Sequence, residues 1–221
     1  MQEYVLITAG GTGNRLGADL PKQFLNLKGR PVLMHVFDAF ITFSEDLRFV
    51  LVLPDAYHDN WKKLCEEHEL TLPHQVVSGG PTRFHSVKSG LRHIPDESLV
   101  AIHDGVRPLV STDTIARGFH YAGKFGNAIP VIETREAMRM LNGATSSPLP
   151  AGRIRTVQTP QCFKASLIKK AYQQNYHENF TDDASVLESE GERLFLIDGN
   201  PENIKITIPA DLVMAGALLS A

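Results

Sequence analysis

The chain has 221 residues, 43% of them hydrophobic and 21% charged, which suits one sizeable α/β domain with an ordinary buried core. A net charge of −3 gives no basic surface to argue for nucleic acid. No apolar run approaches membrane-spanning length, no signal peptide is read, and two cysteines far apart, Cys65 and Cys162, are expected to be reduced packing residues in a cytoplasmic protein.

The first expected strand is residues 3–8, and it runs into Thr8-Ala9-Gly10-Gly11-Thr12-Gly13-Asn14-Arg15. Glycines there let backbone N–H groups approach a phosphate with no Cβ in the way. Arg15 lies in the loop and Lys22 follows Pro21, so one strand end offers a backbone cradle and two cations. That combination suits a nucleoside triphosphate and a departing pyrophosphate. Two other glycine loops are excluded. A P-loop needs Gly-Lys-Ser/Thr, which the chain lacks. The dinucleotide fingerprint needs a third glycine where Leu16 stands.

Further strands are expected at 47–53, 74–78, 98–103, 126–132 and 193–197. Their nearly continuous apolar runs suit parallel strands covered on both faces. Helices are expected at 31–43, 55–69, 82–93, 111–124, 164–177, 181–190 and 209–220. Pro31 and Pro209 suit first turns, and Ser111 and Thr181 are candidate caps. Repeated β–α units imply a single doubly wound, mostly parallel sheet, in one domain spanning 1–221. Residues 133–158 break the alternation. They read as two extended pieces, 134–141 and 153–158, around a loop rich in Gly, Ser and Pro. This is expected to be a protruding β-hairpin arm, whose Met138, Met140, Leu141 and Ile154 have no intrachain core to cover and so suggest a partner subunit.

Ligands in open parallel sheets bind beyond the carboxyl ends of the strands. Strand 74–78 ends in Ser78-Gly79-Gly80-Pro81-Thr82-Arg83, with Ser86 soon after, a turn suited to a base and its ribose. Strand 98–103 ends in His103-Asp104-Gly105-Val106-Arg107. Asp104 is a candidate Mg²⁺ or ribose ligand, Arg107 a candidate phosphate ligand, and His103 a structural residue. Gln158-Thr159-Pro160-Gln161 and Thr181-Asp182-Asp183-Ala184 are individually bland. Lys205, between Ile204 and Ile206, must point to a solvated or anionic site.

Taken in order, Ala-Gly-Gly-x-Gly-x-Arg from Ala9, Pro21-Lys22-Gln23-Phe24, Gly79-Gly80 with Arg83 and Ser86-Val87, His103-Asp104 with Arg107-Pro108, Gln158 to Gln161, Thr181 to Ala184 and Asn203 to Thr207 resemble the 2-C-methyl-D-erythritol 4-phosphate cytidylyltransferase family. The resemblance implies a Rossmann-like nucleotidyltransferase fold. It implies transfer of CMP from CTP to a sugar-alcohol phosphate, with Mg²⁺ as cofactor and a homodimer with crossing arms. By it, Arg15 and Lys22 are catalytic. Ala9, Gly10, Gly11, Thr12, Gly13, Gly80, Ser86, Asp104 and Lys205 hold CTP. Arg107, Thr134, Thr159, Thr181 and Arg153 surround the acceptor, with Thr134 reaching the neighbour's site and Asp104 near the metal. The family usually has an arm arginine where this chain has Ala151; Arg153 or Arg155 is expected to replace it. Ribitol-5-phosphate cytidylyltransferase is the alternative, since it shares most CTP motifs. A regulatory CTP-binding module has no need of Arg15 and Lys22 together, and a glycosyltransferase would need an Asp-x-Asp motif that is absent.

Overall fold

Val5 and Ile7 of the first strand face one side of a sheet and Leu6 the other. The period-2 alternation of a pleated strand buries both faces here, because helices cover each. The computed structural model describes residues 1–10 and 21–220. In chain order the described elements are β1 (Glu3–Thr8), β2 (Asn26–Leu27), β3 (Arg30–Pro31), α1 (Val32–Phe43), β4 (Arg48–Leu53), α2 (His58–Glu67), β5 (His74–Ser78) and α3 (Arg83–Leu91). There follow β6 (Leu99–Asp104), α4 (Thr112–Phe125), β7 (Asn127–Glu133), β8 (Arg139–Asn142), β9 (Thr145–Pro148), β10 (Arg155–Val157) and β11 (Gln161–Lys164). Last come α5 (Ala165–Ala171), α6 (Asp183–Glu188), β12 (Leu196–Asp198) and α7 (Pro209–Leu218).

The main sheet has the order β10-β7-β11-β6-β1-β4-β5, with β12 also paired to β7. Pairs β5–β4, β4–β1, β1–β6 and β12–β7 are parallel. On one face Phe37, Phe40, Trp61 and Phe119 pack against Val5, Ile7, Phe49, Leu51 and Ala101. On the other, Phe84, Val87, Leu91, Ile168 and Tyr172 pack against Leu6, Val50, Val52, Val100 and Ile102. β1 lies between β4 and β6, so connections leave it in both directions. A crevice opens where strand order reverses in this way, at the carboxyl ends of β1 and β6.

Several local expectations are corrected. Residues 161–164, for which no strand was expected, form β11, antiparallel to both β6 and β7. The arm's pairing is β8 with β9, joined through Asn142 to Thr145. The 153–158 piece instead supplies β10, antiparallel to β7 in the main sheet. Asp182, not Thr181, caps α6, its Oδ1 accepting from Ser185 N–H at 2.9 Å. A carboxylate at the cap also complements the helix dipole. The helices expected at 164–177 and 181–190 are shorter than read, Ala165–Ala171 and Asp183–Glu188. Ser111 does cap α4, accepting from Thr114 N–H at 3.2 Å. Both cysteines are free thiols, and burial pushes the Cys65 thiol up to about 11, which keeps it protonated and unreactive. Among the described residues, no helix is long and apolar enough to cross a membrane.

Candidate active site

Asp104 is the last residue of β6, and its backbone N–H is held by Thr159 Oγ1 at 3.1 Å. Its carboxylate is 9% exposed and meets three cations. Oδ1 accepts from Arg83 Nε at 3.4 Å, while Oδ2 takes Arg107 Nε at 3.2 Å and Lys205 Nζ at 3.0 Å. Burial alone would raise this carboxyl's pKa. Arg83, Lys205 and Arg107 override it and hold the group well below the usual carboxylate range. Asp104 is therefore an anion at any working pH.

Two adjoining clefts share this cluster. The first, about 230 Å³, is lined by Ala9, Gly10, Lys22, Gln23, Gly80 and Ser86, besides Arg83, Asp104 and Lys205. The second, about 240 Å³, is lined by Arg107, Thr159, Thr181, Gln158, Gln161 and Asp182, besides the same three residues. So the structure brings the first-loop end, the Gly80 turn and Ser86 to one side of Asp104. It brings Arg107, Thr159 and Thr181 to the other. Gly80 N–H donates to Ser86 Oγ at 3.1 Å, and a Cβ on Gly80 would collide with the Cβ of His85. Only glycine lets that turn fold back on the start of α3. Lys22 opens a short 3₁₀ turn, Lys22–Phe24, that Gln23 ties to the strand end through Nε2 to Ala9 O at 2.7 Å.

Thr159 stands in the wall of the second cleft. It is 5% exposed, and its hydroxyl faces His103 Nδ1 at 3.1 Å. Burial pushes the His103 pKa down to about 4, so the ring is neutral at pH 7. Its Nε2 sits 3.0 Å from Arg107 O, which can only accept, so Nε2 carries the proton. Nδ1 then accepts from the Thr159 hydroxyl, whose oxygen accepts from Asp104 N–H. His103 is thus a structural residue, as expected, and it orders the threonine and the Asp104–Arg107 turn together.

Gly11, Thr12, Gly13 and Arg15 lie outside the described residues. Thr134, just after β7, and Arg153, in the turn Ala151–Arg153, line neither cleft. Arg155 is engaged with Glu133 at 3.5 Å. Sequence reasoning met Arg83, Gln158 and Gln161 only as parts of motifs and gave none of them a role. Arg83 is bound bidentately by Asp183 at 2.9 and 2.7 Å, a pairing across one hundred residues that no local pattern signals. The donor set does not fit a resident divalent cation. No group of three or more His, Cys, Asp or Glu is gathered among the described residues, and Asp104 is already ringed by positive charge. The expectation of Asp104 as a metal ligand therefore finds no support in the geometry.

The end of β1 at Ala9-Gly10, two clefts and one seam of charge suit two ligands meeting at Asp104. Residues 4–221 match the model of the IspD family, 2-C-methyl-D-erythritol 4-phosphate cytidylyltransferase. The chain belongs to this family. It is 50% identical over 219 residues to the enzyme of that name from Bacteroides fragilis, covering 99% of this chain and 100% of the relative. The Phocaeicola vulgatus enzyme is 47% identical over the same shares. The crystal structure of the Thermus thermophilus enzyme superposes with a TM-score of 0.81 at 30% identity, covering all of both chains. The 4-diphosphocytidyl-2C-methyl-D-erythritol synthase structure from Anaerococcus prevotii reaches 0.84 at 26% identity, covering 100% and 99%. As a member of the IspD family the chain is a nucleotidyltransferase, and these relatives carry the methylerythritol name rather than the ribitol one.

Proposed function

We propose that this chain transfers CMP from CTP to 2-C-methyl-D-erythritol 4-phosphate in the two clefts joined at Asp104. A phosphate oxygen of the acceptor attacks the α-phosphorus. The bond from that phosphorus to the bridging oxygen breaks, and pyrophosphate leaves with its electrons. The nucleophile is already ionised at neutral pH, so no general base is required. Catalysis reduces to alignment and charge stabilisation. This agrees with a site that is rich in Arg and Lys and whose one buried histidine is occupied structurally.

The observation that carries the reading is the division of the two clefts. Ala9, Gly10, Gly80 and Ser86 line only the first, which we assign to CTP. Arg107, Thr159 and Thr181 line only the second, which we assign to the acceptor. Asp104 and Lys205 belong to both, at the place where the new bond forms. Lys22 lies on the nucleotide side, where it and Arg15 would steady the α-phosphate and the leaving pyrophosphate. Gly11, Thr12 and Gly13 would complete the cradle. Any divalent cation the reaction uses would have to be held chiefly by substrate phosphates.

The arm at 133–158 we assign to a homodimer, with Thr134 and Arg153 directed to the partner's acceptor side. Two free thiols suit a reducing cytoplasm. The test is pyrophosphate release from CTP with each sugar-alcohol phosphate in turn. Turnover with 2-C-methyl-D-erythritol 4-phosphate, and little with ribitol 5-phosphate, is the expected result. Preference for ribitol 5-phosphate, or binding of CTP without turnover, would overturn the assignment.

A further inference from the structure

Behind Asp104 stands a second buried carboxylate that the reaction does not touch. Asp183, fully buried at the start of α6, accepts both Nη groups of Arg83 at 2.9 and 2.7 Å. Its Oδ1 also accepts from the Tyr172 hydroxyl at 2.6 Å. The Tyr172 ring is 2% exposed and stacks on Phe84, centroids 4.7 Å apart, so the hydroxyl cannot turn away. What remains of the Arg83 fork is Nε, which donates the single 3.4 Å contact to Asp104 Oδ1. We propose that Tyr172 and Asp183 are positioning residues: they hold both Nη groups of Arg83, so that Arg83 steadies Asp104 through one N–H and cannot close on it bidentately.

The argument is one of geometry and cost. A guanidinium beside a carboxylate prefers the two-bond fork. Arg83 has two carboxylates within reach, and Asp183 has taken the fork. Asp104 is thereby left with Oδ2 turned to Lys205, which lines both clefts, and to Arg107, which lines the second. Burial works against the charge on Arg83, but Asp183 and Asp104 beside it hold its pKa well above the ordinary value. The group therefore stays cationic however the substrates redistribute charge. For stability alone this would be a poor choice of residues. Buried ion pairs are often replaced by well-packed apolar side chains with no loss. The same contacts tie together the starts of α3 and α6, and Gln161 ties α6 to β11 as well, Nε2 donating to Asp182 Oδ2 at 2.7 Å and Oε1 accepting from Ala184 N–H at 2.8 Å. Thr181 and Asp182, which line the acceptor cleft, are carried on that junction.

The inference rests on the reading of the clefts given above, and its test separates the two. Tyr172→Phe, Asp183→Asn and the double variant Arg83→Met with Asp183→Leu are compared with the wild type for thermal stability and for pyrophosphate release. Asp183→Asn should lower kcat about tenfold or more with the KM for CTP changed less than about threefold, the signature of misplacement rather than lost binding. Tyr172→Phe should move kcat the same way by a smaller factor. The double variant leaves no charge unpaired at Asp183, though the Tyr172 hydroxyl loses its acceptor, so it should be more stable than Asp183→Asn while kcat stays low. Wild-type kcat in the double variant would reduce the relay to a structural pair and overturn the proposal. So would a rise in the KM for CTP with kcat unchanged, which would make Arg83 a nucleotide ligand. A crystal structure of Asp183→Asn gives a readout free of turnover: Arg83 should have swung to a two-bond contact with Asp104, and an unmoved Arg83 would refute the idea. Failure of the wild type to release pyrophosphate would count against the functional reading, leaving that structural readout to judge the relay.

Discussion

On the proposed reading, Lys22 and Arg15 are the cations that steady the leaving group. Replacing either with Ala should lower turnover by about a hundredfold or more, the usual scale for one lost transition-state donor. Near-normal turnover in both variants, with circular dichroism unchanged, would remove the first loop from the chemistry. His103 makes a different prediction. Its folded pKa of about 4 lies below the 6.5 of a free imidazole, so the unfolded chain binds more protons between those values. Its contribution is therefore complete above pH 6.5 and is lost as pH falls from 6.5 towards 4. About 3 kcal/mol is at stake if the whole shift is expressed. Asp104 acts lower on the scale, below the ordinary carboxylate range, and does not overlap this window. His103→Gln should be less stable than wild type at pH 7, yet its urea midpoint should fall less steeply from pH 6.5 to 4. Parallel pH profiles for the two proteins would show that His103 does not titrate in that window.

At the scale of elements, what could be read from the sequence was what is local and periodic. β1, β4 and β5 appear within a residue of their expected bounds; β1 and β4, buried on both faces, carry nearly unbroken apolar runs, while β5 at the end of the strand order shows only Val76-Val77 before its Ser78-Gly79-Gly80 turn. Ser111 announced α4 through its position ahead of an amphipathic run. Ser111→Ala should cost about 1 kcal/mol, since Thr114 N–H loses its acceptor. The thermal midpoint should then drop by about 2–4 °C; an unchanged midpoint would mean that water replaces the cap at no cost. β11 was not legible. Its four residues, Gln161 to Lys164, are too few to show alternation, and they become a strand only because the edges of β6 and β7 leave a gap for them. The site was legible in the same uneven way. Glycines, Asp104 and Lys205 stood out because each violates what its local structure would ask for. Arg83 did not, since a lone arginine in the first turn of a helix is ordinary until Asp183 arrives from a hundred residues away.

For the whole molecule, the open question is what covers the arm. β8 and β9 pair with each other and with no other described strand, and a lone two-stranded hairpin is marginal in water. Leu141 is 77% exposed and Met140 50%, and neither belongs to any of the three buried clusters of the chain. The same arm holds Arg153, which reaches neither cleft of its own chain. A second copy satisfies both facts at once, covering the apolar side chains and receiving the arginine near its acceptor cleft. Sedimentation should therefore give a dimer at micromolar concentration. Met140→Glu with Leu141→Glu should weaken it by about a hundredfold, as expected for charges placed among apolar contacts, and leave the circular dichroism of the domain unchanged. Arg153→Ala should keep the dimer and the KM for CTP, and raise the KM for the acceptor by about tenfold, the value of one charge-assisted bond to phosphate. A wild-type protein that sediments as a monomer would refute the first expectation. A dimer in which Arg153→Ala leaves the acceptor KM untouched would refute the second, and the acceptor phosphate would then rest on Arg107 and Lys205, which already face each other across Asp104.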